Sequence, residues 1–446
     1  MSASVAAPAE TQKRGPGLGL ALFLMVLYSF SFIDRAIIGL LVQPIKADLH
    51  LTDTQFSLLA GPAFIVFYVV AGIPLGYVAD RWNRRNLIAI GVAFWSLATA
   101  AGGLATSAWQ LFLSRFGVGV GEATLSPCTW SILSSVLPPR KLVIALSIFA
   151  LGTPIGTGLA ALVGGPLVHS LTESMQGQDT MFRPWQVALI VVGLPGLLFA
   201  LLTLWVVKEP KRAPIPKKVS AQDPDGTVLR YLGRNWRVYA ALIVGMGMMN
   251  LAASGAAAWY PAFLQRRHGL DIGNIGILLG TSTLVFGIIG ALCSGWLARH
   301  WFTRRLFDAH YRVGALYALL LLPCAVLGPI VPDKTLAMIL IAISALFSMT
   351  WVGVSAAALQ LVTPDRMRGR ISAVYQSIGS LIGAGIGPTV VALVTDYGFG
   401  DEQMVGWSLA VVAGAALTIS WAALTYGRKH LALLAEERIE HQPKDD

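Results

Sequence analysis

Charge is scarce in this chain. Only 13% of its 446 residues are charged, while 55% are hydrophobic and the mean hydropathy is +0.66. A soluble domain carries about 25% charged residues, so the first expectation is a polytopic membrane protein. Cysteine is scarce as well. Cys128, Cys293 and Cys324 lie in apolar segments without metal-ligand spacing, which fits packing residues with free thiols and no disulfide framework. No G-x-x-x-x-G-K-[ST] loop occurs, so ATP-driven pumping is not expected. No His-x-x-x-His or acidic–His cluster falls within an apolar stretch, so neither a metal centre nor an organic cofactor is expected.

What the chain does have is long apolar runs. A span needs about 20 mostly apolar residues, and twelve stretches qualify, near 18–42, 55–79, 86–106, 109–136, 142–168, 185–207, 238–264, 273–298, 309–331, 335–362, 371–395 and 404–427. Helices are the expected form, because an open sheet cannot satisfy its backbone in lipid. The first run is too long for a signal-peptide core and reads as an uncleaved span. With the N-terminus placed in the cytoplasm, 26 of the 33 Lys and Arg residues fall in cytoplasmic segments and 5 outside, and Arg35 and Arg115 lie within spans. That split puts both termini in the cytoplasm, at an inner cell membrane. It also accounts for the net charge of +10: basic residues line a surface that favours anionic lipid, and nucleic acid is not needed as a partner.

The expected organisation is a cytoplasmic tail (1–17), a six-helix bundle (18–207), a linker (208–237), a second six-helix bundle (238–427) and a tail (428–446). The linker "KEPKRAPIPKKVSAQDPDGTVLRYLGRNWR" begins Pro- and Lys-rich. From Thr227, Val228, Leu229, Leu232 and Trp236 stand among basic residues, which suits either a surface amphipathic helix or a plain linker. The halves echo each other. "GYVADRWNRR" follows the second span and "GWLARHWFTRR" the eighth, with Gly76 and Gly295 at an offset of 219; the turns at Pro139 and Pro364 are offset by 225. Duplicated transporters hold substrate near the midplane, where their repeats meet.

"GYVADRWNRR" matches every position of G-x-x-x-D-R-x-x-R-R, and with twelve spans and a long central loop the chain resembles the major facilitator superfamily over about 18–427. The resemblance implies an all-α membrane protein, with twelve transmembrane helices in two pseudo-symmetric bundles around a central cavity. It also implies a cytoplasmic gate at Gly76, Asp80, Arg81, Arg84 and Arg85. The second copy departs: Arg299 and His300 replace the Asp-Arg pair. Apart from any resemblance, Asp80 stands where a helix leaves the membrane and can accept from arginines across the cytoplasmic face. A solvated turn whose arginines only fix topology is the competing reading. The fifth span, "LGTPIGTGLAALVGGP", resembles the superfamily's antiporter signature without its regular spacing.

Two spans carry charge in mid-membrane: "SFSFIDRAIIG", with Asp34 and Arg35, and "RFGVGVGEA", with Arg115 and Glu122. Each such charge costs about 2.5–3.5 kcal/mol on insertion scales, so four of opposite signs should share an interior and pair. Arg115, Gly119, Glu122, Ser126 and Thr129 form one helical stripe, whereas Gly117 and Gly121 fall on another face, as helix packing uses. Adjacent Asp34 and Arg35 point about 100° apart. The glycines therefore do not form a nucleotide turn, which needs a strand before them. An arginine beside a carboxylate keeps it ionised, and losing that neighbour favours the acid. Asp34 and Glu122 are thus candidate proton carriers, and Arg35 and Arg115 candidate ligands for an anionic group. A purely structural ion network is the alternative.

The later spans hold Asn250, Trp259, Tyr260, Thr281, Thr283, Trp351, Gln360, Tyr375 and Gln376 but no mid-span charge. Charge in one half and apolar or aromatic surface in the other suits an amphipathic substrate, with Gly119, Ser126, Tyr375 and Gln376 as further candidate binding residues. "DR" in the first span together with "GVGEA" in the fourth is similar to the spinster branch, which implies transport of sphingosine-1-phosphate or lysophospholipids. It also implies a polar cavity holding Asp34, Arg35, Arg115 and Glu122. The expectation is a monomeric, proton-coupled secondary transporter of an amphipathic, anionic, lipid-like substrate. A drug or organic-anion exporter, a passive facilitator and a non-transporting sensor are the alternatives.

Overall fold

The computed structural model describes residues 17–178, 180–210, 226–364 and 367–440. All regular structure among the described residues is helical, with no strand. The expected N-tail, the first part of the linker (211–225) and the end of the C-tail (441–446) lie outside them.

In chain order the first helices are α1 (Gly17–Leu40), α2 (Val42–Leu49), α3 (Asp53–Ala60), α4 (Pro62–Arg81), α5 (Arg84–Gly102), α6 (Ala108–Glu122) and α7 (Leu125–Val136). They are followed by α8 (Pro139–Ala150), α9 (Gly152–Ser174), α10 (Pro184–Gly193), α11 (Pro195–Val206) and the short α12 (Gly226–Arg234). The later part holds α13 (Trp236–His268), α14 (Ile272–Ser282), α15 (Ile288–Thr303), α16 (Ala309–Leu327), α17 (Lys334–Ser348), α18 (Thr350–Val362), α19 (Arg368–Ser380), α20 (Gly387–Leu393) and α21 (Val405–Glu440). Several breaks follow local chemistry. Gly61–Pro62 divides α3 from α4 and Leu194–Pro195 divides α10 from α11, since proline starts a helix well but cannot donate within one. One-turn π segments at Thr283–Gly287 and Leu381–Ile386 re-aim the helices that contain them.

Ten helical stretches of the described residues are long and apolar enough to cross a bilayer. The other two stretches that the sequence nominates differ. α5 opens on Arg84, Arg85 and Asn86, and the run 109–136 is broken into α6 and α7 immediately after Glu122. They pack on each other through glycine. A methyl on Gly91 would meet the Thr124 hydroxyl and lie 2.8 Å from the Gly121 carbonyl oxygen, and one on Gly121 would lie 2.8 Å from Trp95 Cβ. The outer surface is apolar, with Trp205 88%, Ile73 77% and Leu201 66% exposed, as a lipid-facing surface requires.

One buried core draws only on residues between Leu20 and Val207; a larger one draws on the later helices together with early residues that include Ile37, Leu41, Ile45, Phe56, Leu111 and Trp185. The early and late helices meet along a glycine seam. A methyl on Gly165 of α9 would lie 2.6 Å from Gly276 Cα of α14, and one on Gly61 would lie 2.9 Å from the Ala384 carbonyl oxygen. Only glycine permits backbones this close.

Candidate functional site

α1 and α6 supply the four mid-span charges, and the structure sorts them into two pairs. Asp34, 1% exposed, faces α5 and α6: Arg115 Nη1 lies 3.4 Å from its Oδ1, and the Thr99 hydroxyl donates to its other oxygen. Arg35, one residue on, turns the other way. Its Nε donates to Glu122 Oε2 at 2.5 Å, and the Ser31 hydroxyl donates to the same oxygen at 2.8 Å. Glu122 is 1% exposed and its second oxygen, Oε1, is buried without a partner. The 100° step between neighbouring helical residues is the physical reason for the split.

The Arg35 guanidinium also stands over three rings, 4.7 Å from the centre of Phe32, 4.6 Å from Phe64 and 4.9 Å from Tyr68. Such cation–π contacts hold a cation in a weakly hydrating place without neutralising it. Beside this cage lies a cavity of about 310 Å³, between the early and late helices. Arg35 is the one charged side chain on its wall among the described residues. The late helices contribute hydroxyls there, from Ser254, Tyr260, Ser282, Ser344 and Ser348, set in Ala, Leu and Ile surface. The π segments of the late helices bring Thr283 and Ala384 to the same wall. One cation, a few neutral hydroxyls and much apolar surface suit a single anionic head with an apolar body.

The other candidate residues fall elsewhere. Gly119 does not open space beside Arg115; a methyl on it would overlap the Phe64 carbonyl oxygen and lie 3.2 Å from Tyr68 N, so it lets α4 approach α6. Ser126 is buried on α7, Tyr375 is buried in the larger core and Gln376 is exposed. None of these four lines the cavity. Of the signature residues, Arg84 is 2% exposed and ties α5 to α7 and to the chain after α11. It donates to Glu209 Oε1 at 2.8 Å and to the Ser131 and Ser135 hydroxyls, each at 2.9 Å. Arg85 meets Glu209 through its backbone N–H, Arg81 lies over the Tyr77 ring, Asp80 is exposed, and Gly76 faces open space. Among the described residues, the Arg84 bonds reach only the first half and the start of the linker.

Sequence reasoning misses a second polar cluster, on the face opposite the termini. Arg266, at the end of α13, donates through both terminal nitrogens to Asp53, each at 2.7 Å. Lys46 of α2 pairs with Asp53 and with Glu402, the latter at 2.8 Å. Nearby, Thr54 N–H donates to Asp396 at 2.7 Å. These bonds join early helices to late ones and close that face. Positions hundreds of residues apart share no periodicity; the only trace in the sequence is that these few acids and bases all stand at span ends.

A family profile described as the Major Facilitator Superfamily matches residues 24–388. An MFS-type efflux pump of Mycolicibacterium smegmatis is 28% identical over 400 residues, 88% of each chain. The sphingosine-1-phosphate transporter SPNS2 of Danio rerio is 27% identical over 284 residues, 59% of this chain and 53% of that one. Among solved structures, an inward-facing, unoccupied bacterial homolog of the human lysosomal transporter Spinster superposes with a TM-score of 0.77. It is 23% identical and covers 97% of this chain and 100% of its own.

Proposed function

The chain belongs to the Major Facilitator Superfamily and is a membrane transporter, not an enzyme; on that premise we propose that it moves an amphipathic, anionic, lipid-like substrate, of lysophospholipid or sphingoid-phosphate type, coupled to protons. The carrying observation is Arg35. Among the described residues it is the cavity's single charged wall residue, and it is shared with a buried carboxylate. An anionic head that takes the guanidinium must displace Glu122. A carboxylate left alone in an apolar interior takes up a proton rather than stay ionised, and the unpartnered Oε1 gives that proton a place. Substrate anion and proton then bind together. The similarity to a sphingosine-1-phosphate transporter supports the substrate class.

In this reading twelve spans form two six-helix bundles, 18–207 and 238–427, that rock about the cavity. α5 and the broken α6–α7 cross the membrane despite their charges, because those charges face inward. Both termini are cytoplasmic at an inner membrane, as the Lys and Arg distribution supports. The transporter works as a monomer, with protons as its only coupling agent, and Asp80 with Arg81, Arg84 and Arg85 forms the cytoplasmic gate when that side closes. The related efflux pump favours a second reading, export of an organic-anion drug through the same cavity.

Flux in proteoliposomes with and without a pH gradient tests the coupling. Wild type should respond to the gradient and Glu122→Gln should transport without responding. A Glu122→Gln protein that keeps the full gradient response overturns the proton role. A panel of lysophospholipids, sphingoid phosphates and drug anions, competed on wild type and Arg35→Ala, separates the two substrate readings.

A further inference from the structure

The second copy of the loop signature puts a cation where the first has an acid. At the offset of 219 that aligns Gly76 with Gly295, Asp80 corresponds to Arg299. The structure surrounds that inverted position with a crevice of about 460 Å³ between α15 and α18, floored by α16. Arg299, Phe302 and His310 line one side and Val354, Gln360 and Leu361 the other. Gly295 and Gly353 lie on the two flanking helices, and no atom lies within 4 Å of where a side chain on either would begin, so the crevice stays open between them.

Arg299 has no ion pair among the described residues, and His310 Nδ1 is buried without a hydrogen-bond partner. The acid nearest in sequence, Asp308, is already held by Arg312 at 3.1 Å and Arg428 at 2.7 Å. The stretch from 299 to 312 thus carries Arg299, Arg304, Arg305 and Arg312 against one acid that is doubly neutralised. A guanidinium fork and an imidazole N–H are donors that suit phosphate oxygens. Trp296, 65% exposed and stacked on His300, marks the headgroup level of a bilayer beside the crevice mouth.

We propose that this crevice, on the face that carries the termini and separate from the central cavity, binds the phosphate headgroup of an anionic phospholipid. Arg299 and His310 hold the phosphate, and the Phe302, Val354 and Leu361 surface takes the first part of the acyl chains. The site does not depend on the transported substrate, and Arg35 takes no part in it.

The test uses the full-length protein in detergent, with short-chain phosphatidylglycerol, short-chain phosphatidylcholine and inorganic phosphate as probes. Binding is read by native mass spectrometry and by thermal shift. Phosphatidylglycerol should still bind Arg35→Ala, in which the central cavity has lost its anion ligand. Arg299→Gln and His310→Gln should each weaken it at least tenfold, and Arg304→Gln, on the exposed loop, by less than twofold. Equal binding of phosphatidylcholine overturns the anionic headgroup. Full competition by inorganic phosphate at matched concentration overturns the lipid as the source. Equal losses in Arg299→Gln and Arg304→Gln, or loss of all binding in a folded Arg35→Ala protein, overturn the site itself. Thermal unfolding of each variant without ligand shows that it is folded, and Arg299, being exposed, can be changed without disturbing a core.

Discussion

Neutralising Asp53 tests how the face opposite the termini is held shut. Its side chain is 0% exposed, and it takes both terminal nitrogens of Arg266, each at 2.7 Å, as well as the Lys46 ammonium. Those cations are themselves 5% (Lys46) and 6% (Arg266) exposed, and their other acid, Glu402, is 52% exposed. In Asp53→Asn two buried cations are left to one half-hydrated carboxylate. Removing one partner of a buried pair costs about 3–5 kcal/mol, because the remaining charge stays dehydrated. The cost falls on the closed conformation alone, since water reaches Lys46 and Arg266 once the halves part. At about 3 kcal/mol, with 1.4 kcal/mol per factor of ten, the closed-to-open ratio falls on the order of 100-fold. The assay is labelling of Gly39→Cys, on the cavity wall, by an impermeant maleimide added from the face opposite the termini. The background lacks the free cysteines Cys128, Cys293 and Cys324. The labelling rate should rise at least tenfold in Asp53→Asn. Asp48→Asn is the control, because its partner Arg183 is 68% exposed and such pairs contribute less than about 1 kcal/mol. Unchanged labelling in a folded Asp53→Asn protein, or the same rise in Asp48→Asn, refutes the reasoning.

Three further outcomes follow from the same geometry. Arg35→Lys keeps the charge but loses the planar fork and its stacking on three rings, so calorimetric affinity for an anionic amphiphile should fall about tenfold or more; an unchanged affinity argues against Arg35 as the anion's ligand. Asp34→Asn strands a 2% exposed Arg115 and should cost about 3–5 kcal/mol in thermal unfolding, while the gradient response of transport stays that of wild type. Gly91→Ala presses a methyl onto Thr124 and the Gly121 carbonyl, and unfolding should show a loss of about 1–3 kcal/mol; an unaltered midpoint would mean that α5 and α6 are not packed this closely.

Features that lie along one helix were legible, and features made by several helices were not. Apolar runs announce spans by length alone, and the cost of charge in lipid singles out Asp34, Arg35, Arg115 and Glu122 before any coordinates exist. The 3.6-residue repeat even divides the glycines of α6 correctly: Gly117 and Gly121 meet α5, while Gly119 lies on another face. What that face meets is a different matter. Gly119 adjoins α4, not a cavity, because the tilt and neighbours of a helix are set by packing that no local pattern encodes. Who pairs with whom among the four charges was equally hidden, and so were the hydroxyls of Ser31 and Thr99 that complete the two pairs. Serine and threonine are common in spans, and nothing in the sequence distinguishes the two that face a carboxylate. Polarity alone marks Tyr375 and Gln376 as binding candidates. α19 instead turns Tyr375 into the core and leaves Gln376 exposed.

The pairing divides labour between two carboxylates that look equivalent in the sequence. The Asp34–Arg115 pair is sealed, with side chains 1% and 3% exposed, and neither residue reaches the cavity wall. Neither solvent nor substrate can exchange with it without moving helices, which is how a structural pair behaves. The Arg35 side chain is 20% exposed while the side chain of its partner Glu122 is 0% exposed, so this pair has one member at the wall and one behind it. On the proposed mechanism the wall's charge is therefore set from behind. With Glu122 ionised the pair is neutral and the cavity offers an anion little. With Glu122 protonated Arg35 is a free cation among aromatic rings. Anion affinity then rises with protonation, so proton and anion load together and leave together. Their joint charge is zero for a monoanion, so the loaded carrier takes no extra charge into the membrane, where an unpaired one is costly. Coupling in the same direction follows from two groups competing for one guanidinium, without any further gate between them.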